Sequence, residues 1–210
     1  MSNKKKVYVV GNSLDYANWL HPIGYIFASK LEEADLVLFT GGEDICPELY
    51  GEQKGKYTSF NKRRDDFEQI CFNKALELKI PCLGACRGNQ FLVVMNSGKL
   101  IQHMSHNSSH NILTFDGKIL PVTSSHHQMA YPYNLPEEDF QILGWAPNFS
   151  HTYLNGKDEE IDMKDKKEVE IIFFPKTKCL GIQSHPEWMD LNCDTVKYMQ
   201  GLVLELLNKE

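Results

Sequence analysis

The chain has 210 residues, is 42% hydrophobic, and carries a formal net charge of −6 at pH 7. The length suits one α/β domain with a full core, so residues 1–210 are expected to form a single domain. The acidic balance and the lack of a basic stripe argue against nucleic-acid binding, and no apolar stretch approaches a membrane span.

The start, Met1–Lys6, is basic, but the apolar run Val7–Val10 is too short for a secretory h-region. Cys46, Cys71, Cys82, Cys86, Cys179 and Cys193 are scattered without a paired C-x-x-C arrangement. Reduced thiols in the cytoplasm are therefore expected, rather than a disulfide framework or a zinc site.

Val7–Val10 predicts a buried strand ended by Gly11. Asp15–Lys30 has a helical pattern interrupted by Pro22 and Gly24, so a bent or broken helix is expected. Ala34–Thr40 predicts a second strand that runs into Gly41-Gly42. Strand, helix and strand in this order indicate a βαβ unit and a parallel sheet. Ligands in such sheets bind beyond the carboxyl ends of the strands, where Gly41-Gly42 lies. A Gly-Gly pair lets backbone N–H groups approach a substrate, although a plain turn would use the same residues.

Asn61–Lys79 reads as an amphipathic helix with Phe67, Ile70, Cys71, Ala75 and Leu78 facing inward. Arg63–Asp66 at its start reads as a solvated face. A central strand follows Pro81, then a helix from Gly88 to about Asn96, then a short strand over Lys99–His103. His103, His106 and His110 fall within one short stretch, but no Cys or carboxylate completes a metal set, so no metal site is expected. Strands are expected at Ile119–Thr123 and Phe140–Gly144. Asn155–Lys167 is highly charged without apolar period and reads as an exposed hairpin tip or insertion. Glu168–Phe174 and Cys179–Gln183 read as antiparallel partners joined by Pro175–Lys178. Asp190–Leu207 closes the chain as an amphipathic helix, with Val196, Met199, Val203, Leu206 and Leu207 inward.

The chemistry centres on Gly84-Ala-Cys86-Arg-Gly88, an apolar run that turns at once into a helix. This is the cysteine form of a nucleophile elbow, whose tight turn needs small residues on both sides. A cysteine at a helix N-terminus also meets unpaired N–H groups that favour the thiolate. A buried cysteine between packing glycines would have the same sequence. His185-Pro-Glu187 supplies what a cysteine nucleophile needs. Pro186 biases His185 towards extended backbone, where residues two apart share a side. Glu187 can then accept the imidazole N–H and fix its tautomer.

Five blocks carry a resemblance. They are Thr40–Gly51, Arg64–Glu68, Gly84–Gln90, Val122–Gln128 and Gln183–Glu187. Together they resemble the class I glutamine amidotransferase superfamily, in its γ-glutamyl peptidase branch. The resemblance implies a flavodoxin-like α/β sandwich, with a mainly parallel central sheet and an antiparallel extension. It implies Cys86, His185 and Glu187 as a triad. The oxyanion hole would be the Arg87 N–H with one from Gly41-Gly42. Gln90 and the backbone of Ser125, His126, His127 and Gln128 would hold the glutamyl group. The activity implied is cleavage of a γ-glutamyl amide through a thioester, with no cofactor.

The branch usually has a further strand and helix before the Gly-Gly strand. Only about 23 residues separate Val10 from Ala34, so a smaller sheet and a more open flank are expected. The branch's nearby Asn is Thr123 here, and its role is not carried over. The Gly11–Trp19 opening resembles hydrolases of γ-glutamyl-CDP-amidate in capsular phosphoramidate synthesis. That resemblance makes a γ-glutamyl nucleotide amidate the expected small-molecule substrate, with Arg63, Arg64 and Arg87 as cations for its phosphates. The alternatives are a glutaminase subunit feeding ammonia to a separate synthase partner, a general γ-glutamyl amine hydrolase, and a non-catalytic binding module.

Overall fold

The computed structural model describes residues 4–11, 13–105, 108–147 and 150–208. In chain order the strands and helices are β1 (Lys5–Val10), β2 (Tyr25–Phe27), β3 (Leu36–Phe39), α1 (Lys62–Glu77), β4 (Cys82–Ala85) and α2 (Arg87–Met95). There follow β5 (Lys99–Ile101), β6 (His103–Met104), β7 (His110–Thr114), β8 (Ile119–Val122), β9 (Met129–Tyr131), β10 (Gln141–Ala146), β11 (Tyr153–Leu154), β12 (Glu168–Phe174), β13 (Cys179–Ile182) and α3 (Asp194–Leu206).

Nine strands form one sheet in the order β2-β1-β3-β4-β13-β12-β10-β7-β8. The half from β2 to β13 is parallel, and the half from β13 to β8 is antiparallel. The central strands β3, β4 and β13 are buried throughout, as parallel strands covered on both faces must be. One apolar layer unites the sheet with α3 and the segment around Trp19 and Leu20. The other unites it with α1 and α2 through Phe72, Phe91 and their neighbours. The result is a three-layer α/β fold, as the resemblance implies.

Two expectations are corrected. Residues 14–23 form a 3-10 helix, capped by the Ser13 side chain and ended by Gly24 in the left-handed region. Tyr25–Phe27 then pairs with β1 as an edge strand. The strand thought missing is therefore present at three residues, and the sheet is large.

The second correction concerns α1. Asn61 caps it, accepting from the Arg64 N–H. Its buried face is Asp65, Glu68, Cys71, Phe72 and Ala75, whereas Phe67 and Ile70 are exposed. The supposedly solvated Asp65 is buried. Two carboxylates occupy the inner face because a buried arginine meets them there.

The charged segment after Asn155 is an exposed turn closed by the antiparallel bridge between Leu154 and Glu160, as expected, and it is anchored near its start. The Lys56 N–H donates to Asp158, and Gly156 lies where any side chain would strike the Gln53 carbonyl.

Candidate active site

The nucleophile elbow is built from backbone constraints. Cys86 has φ 53° and ψ −111°, a conformation rare for a residue with a side chain. Such strain costs about 1–3 kcal/mol and persists only where neighbours hold it. The glycines on either side are needed for space. A Cβ on Gly84 would lie 2.3 Å from the Gly88 carbonyl oxygen, and one on Gly88 would lie 2.1 Å from that of Phe39. The Cys86 N–H donates to the Ile182 carbonyl at 2.8 Å, which ties the elbow to the next strand.

His185 comes from that same neighbouring strand. β4 and β13 run parallel, with Ala85 opposite Ile182. Each chain leaves the sheet at the same end and delivers one reactive residue. His185 Nδ1 lies 2.7 Å from Glu187 Oε1, and both side chains are nearly fully buried. The expected reason for this pairing was wrong, because Pro186–Trp188 forms a 3-10 turn rather than extended chain. The turn folds Glu187 back onto the ring that precedes it. Thr123 fixes the His185 backbone from both sides. Its hydroxyl donates to the His185 carbonyl at 2.9 Å, and its carbonyl accepts the His185 N–H.

Burial alone would lower the pKa of His185. Hydrogen bonds to Cys86 and Glu187, with the negative charge those groups can carry, outweigh it and raise the pKa to about 9. Two aromatic rings flank the imidazole. Trp188 stacks on it with ring centroids 3.6 Å apart and planes 6° from parallel. Tyr16 stands 6.1 Å away at a tilt.

The Gly41-Gly42 loop faces the elbow under tight constraint. A Cβ on Gly41 would lie 2.4 Å from the Tyr16 hydroxyl, and one on Gly42 would lie 2.0 Å from Arg64 Nη1. Arg64 holds the loop by donating to the carbonyls of Thr40 and Gly41 and to the Glu43 carboxylate. Its Nε donates to Glu68 at 2.9 Å. Glu68 and Asp65 in turn receive the guanidinium of Arg87, which is 1% exposed. The flank expected to be open is therefore occupied by Tyr16. The cations expected to meet phosphate are committed elsewhere, since Arg87 is sealed inside the protein and Arg64 spans two carboxylates. Arg63 alone of the three is exposed.

Beside Cys86 lies a cavity of about 230 Å³. Gly42, Gln90, Ser125, His126, His127 and Gln128 line it, together with Glu43, Asp44, Tyr57 and Ser59. The sequence-predicted residues are thus brought together, but their side chains do different things. Gln90 Nε2 donates to the Gln128 carbonyl at 2.8 Å. His126 turns its ring inward, with Nδ1 2.9 Å from that same carbonyl. Gln128 donates to Thr58. His127 faces the acidic wall, with Nε2 3.1 Å from Asp44. Of the three histidines weighed as metal ligands, His103 meets His127 and His110 meets Glu170, while His106 lies outside the described residues.

Tyr16, Thr123, Trp188 and the Asp65–Glu68 pair at this site were not identified from sequence as site residues. The one signal available was the i, i+3 spacing of Asp65 and Glu68, which places two carboxylates on one helical face.

The fold is shared with solved glutamine amidotransferases. One from Thermotoga maritima superposes with a TM-score of 0.60 at 16% identity, over 98% of this chain and 89% of that one. Among curated proteins, the glutamine amidotransferase-like protein YvdE of Lactococcus lactis is 30% identical, over 73% of this chain and 66% of its own length. The glutamine amidotransferase-like protein RP404 of Rickettsia prowazekii is 30% identical, over 82% of this chain and 77% of its own length. The architecture is that of the class I glutamine amidotransferases. Within that class the chain belongs to the Peptidase C26 family, which matches residues 22–131, and is a hydrolase-type enzyme. The matched span includes the Cys86 elbow; His185 and Glu187 lie beyond it.

Proposed function

We propose that the protein is a cysteine hydrolase that cleaves γ-glutamyl amides and releases glutamate. The observation that carries this reading is the Cys86–His185–Glu187 chain opening onto the cavity at Gln90 and residues 125–128. The Cys86 sulfur attacks the γ-carbonyl carbon. The oxyanion is met by the Arg87 N–H, at the helix start where no intrahelical partner exists, and by the Gly42 N–H. The C–N bond breaks as the His185 imidazolium protonates the departing nitrogen. His185 then takes a proton from water, which attacks the thioester and frees glutamate. Glu187 holds the ring throughout. In the cavity, the acidic wall at Glu43 and Asp44 suits the α-amino group of the glutamyl unit. The Gln90 side chain and the 125–128 backbone complete its recognition. The names of the curated relatives, glutamine amidotransferase-like proteins, agree with a glutamine-type substrate. We place the enzyme in the cytoplasm; among the described residues no helix is long and apolar enough to cross a membrane.

A narrower reading takes a γ-glutamyl nucleotide amidate as substrate, giving cytidine diphosphoramidate for capsule modification. It rests on the opening residues alone, and Arg64 and Arg87 take no part in it. Ammonia delivery to a synthase partner is the other alternative. Competition kinetics with glutamine, γ-glutamyl amines and a γ-glutamyl nucleotide amidate tests these readings. Release of glutamate from at least one is expected, and release from none overturns the proposal. A preference for the nucleotide amidate of at least about a hundredfold, equivalent to about 2.7 kcal/mol, would select the narrower reading.

The pH profile provides a second test. His185 has a raised pKa, so the imidazolium persists to about pH 9 and is lost as pH rises through that value. The kcat/KM for an amide should therefore fall above about pH 9. Glu187→Gln removes one of the raising partners, so the falling limb should move to lower pH. A limb that does not move would show that Glu187 does not support the imidazolium.

A further inference from the structure

The rings beside His185 suggest what the enzyme accepts on the far side of the scissile bond. This inference rests on the γ-glutamyl reading above. With the glutamyl unit in the cavity beside Gln90, the departing nitrogen must lie at His185, which protonates it. Whatever that nitrogen carries then extends past His185, away from the cavity. Trp188 is the ring that lies directly against His185. One face of its indole covers the imidazole at 3.6 Å, yet the residue is 58% exposed. An indole with one face covered that remains more than half exposed must present its other face to solvent. Tyr16 stands nearby, against Gly41 and the imidazole. Burial, then the proximity of Glu187 and Cys86, pushes its hydroxyl pKa up to about 12, so it stays a neutral donor in the working range.

Among the described residues no lysine or arginine is stacked on either ring, and Arg64 is paired with Glu43 and Glu68. The two rings themselves are uncharged. We propose that Trp188 and Tyr16 form the leaving-group subsite, and that it selects amides whose amine portion carries a flat unsaturated ring able to stack on the open face of Trp188. Trp188 is thus a specificity-determining residue as well as the support on which His185 rests. The C–N bond breaks and the amine leaves with the His185 proton, as in the general mechanism; the ring changes affinity in the transition state and not the chemistry.

The test compares γ-glutamylbenzylamide with γ-glutamyl-(cyclohexylmethyl)amide, which differ in flatness but little in size. The full chain is assayed as wild type, Trp188→Phe and Trp188→Leu. The quantity read is the ratio of kcat/KM for the two amides, so any general loss from a loosened His185 divides out. Wild type should favour the benzyl compound by about tenfold, in keeping with the known strength of ring stacking. Trp188→Phe should keep most of that ratio, and Trp188→Leu should bring it to within about twofold of unity. A ratio near one in wild type, or one that Trp188→Leu leaves intact, overturns the subsite. Failure of the underlying reading looks different. Neither amide, nor glutamine, would release glutamate, and 6-diazo-5-oxonorleucine would not label Cys86.

Discussion

Cys86→Ala and Cys86→Ser should each lose at least about four orders of magnitude in turnover, as triad nucleophiles do when removed. Steady-state release of glutamate from whichever amide proves best is the measurement. Near-normal turnover by either variant would end the covalent mechanism. The same position offers a control that separates chemistry from folding. Cys86 holds a positive φ with ψ near −111°, which glycine adopts without penalty. Cys86→Gly should therefore be as inactive as Cys86→Ala, yet more stable than it by about 1 kcal/mol. Denaturant melts of the two variants would show this. If the glycine variant were the less stable, the elbow would not be storing strain.

The second large effect concerns stability. Glu68 lies between the guanidinium groups of Arg64 and Arg87 and is 1% exposed. Glu68→Ala leaves a buried arginine short of charge, and removing one partner of a buried pair typically costs about 3–5 kcal/mol. For a chain of this size that corresponds to a fall in Tm of roughly 10 °C. Because Arg64 also holds the carbonyls of Thr40 and Gly41, kcat should fall in the folded fraction too. Glu68→Gln keeps hydrogen-bond acceptance without the charge and should lie between. A Glu68→Ala variant that melts within about 2 °C of wild type would mean that the network adds little. Asp65 belongs to the same cluster. Its pKa is raised by burial, an effect that Arg87 partly offsets.

The legible parts of this protein were those where local chemistry and backbone path agree. Val7–Val10, the elbow and the Pro175–Lys178 turn are short-range signals, and each lies where its pattern indicates. The pairing of His185 with Glu187 was also legible, although for a mistaken reason. Spacing alone permits contact in extended chain or in a 3-10 turn, and Pro186 starts the turn. What could not be read were effects set by partners distant in sequence. The inner face of α1 looked wrong by hydrophobicity because its occupants, Asp65 and Glu68, answer to Arg87 roughly twenty residues later. Phe67 and Ile70 were placed inside by the same pattern and are exposed. Tyr16 was hidden for a similar reason. It sits in a segment whose helical pattern is broken, and only the closure of β1 beside β3 brings its ring to Gly41 and His185.

The adjacency of β4 and β13 has a consequence for how robust the site is. Cys86 follows Ala85, and His185 follows Ile182 by three residues, with Ala85 and Ile182 paired across the two strands. The lateral offset of nucleophile and base is therefore inherited from the pitch between hydrogen-bonded strands, about 4.8 Å in any sheet. That pitch is among the least adjustable lengths in a protein. Repacking the outer helices, as divergent sequences must, tilts side chains without altering it. A slip of one residue between the strands would displace one partner by about 3.3 Å along the strand and turn its neighbours to the opposite face. The geometry is thus digital: it is either in register or lost, and it does not drift by degrees as helices are exchanged.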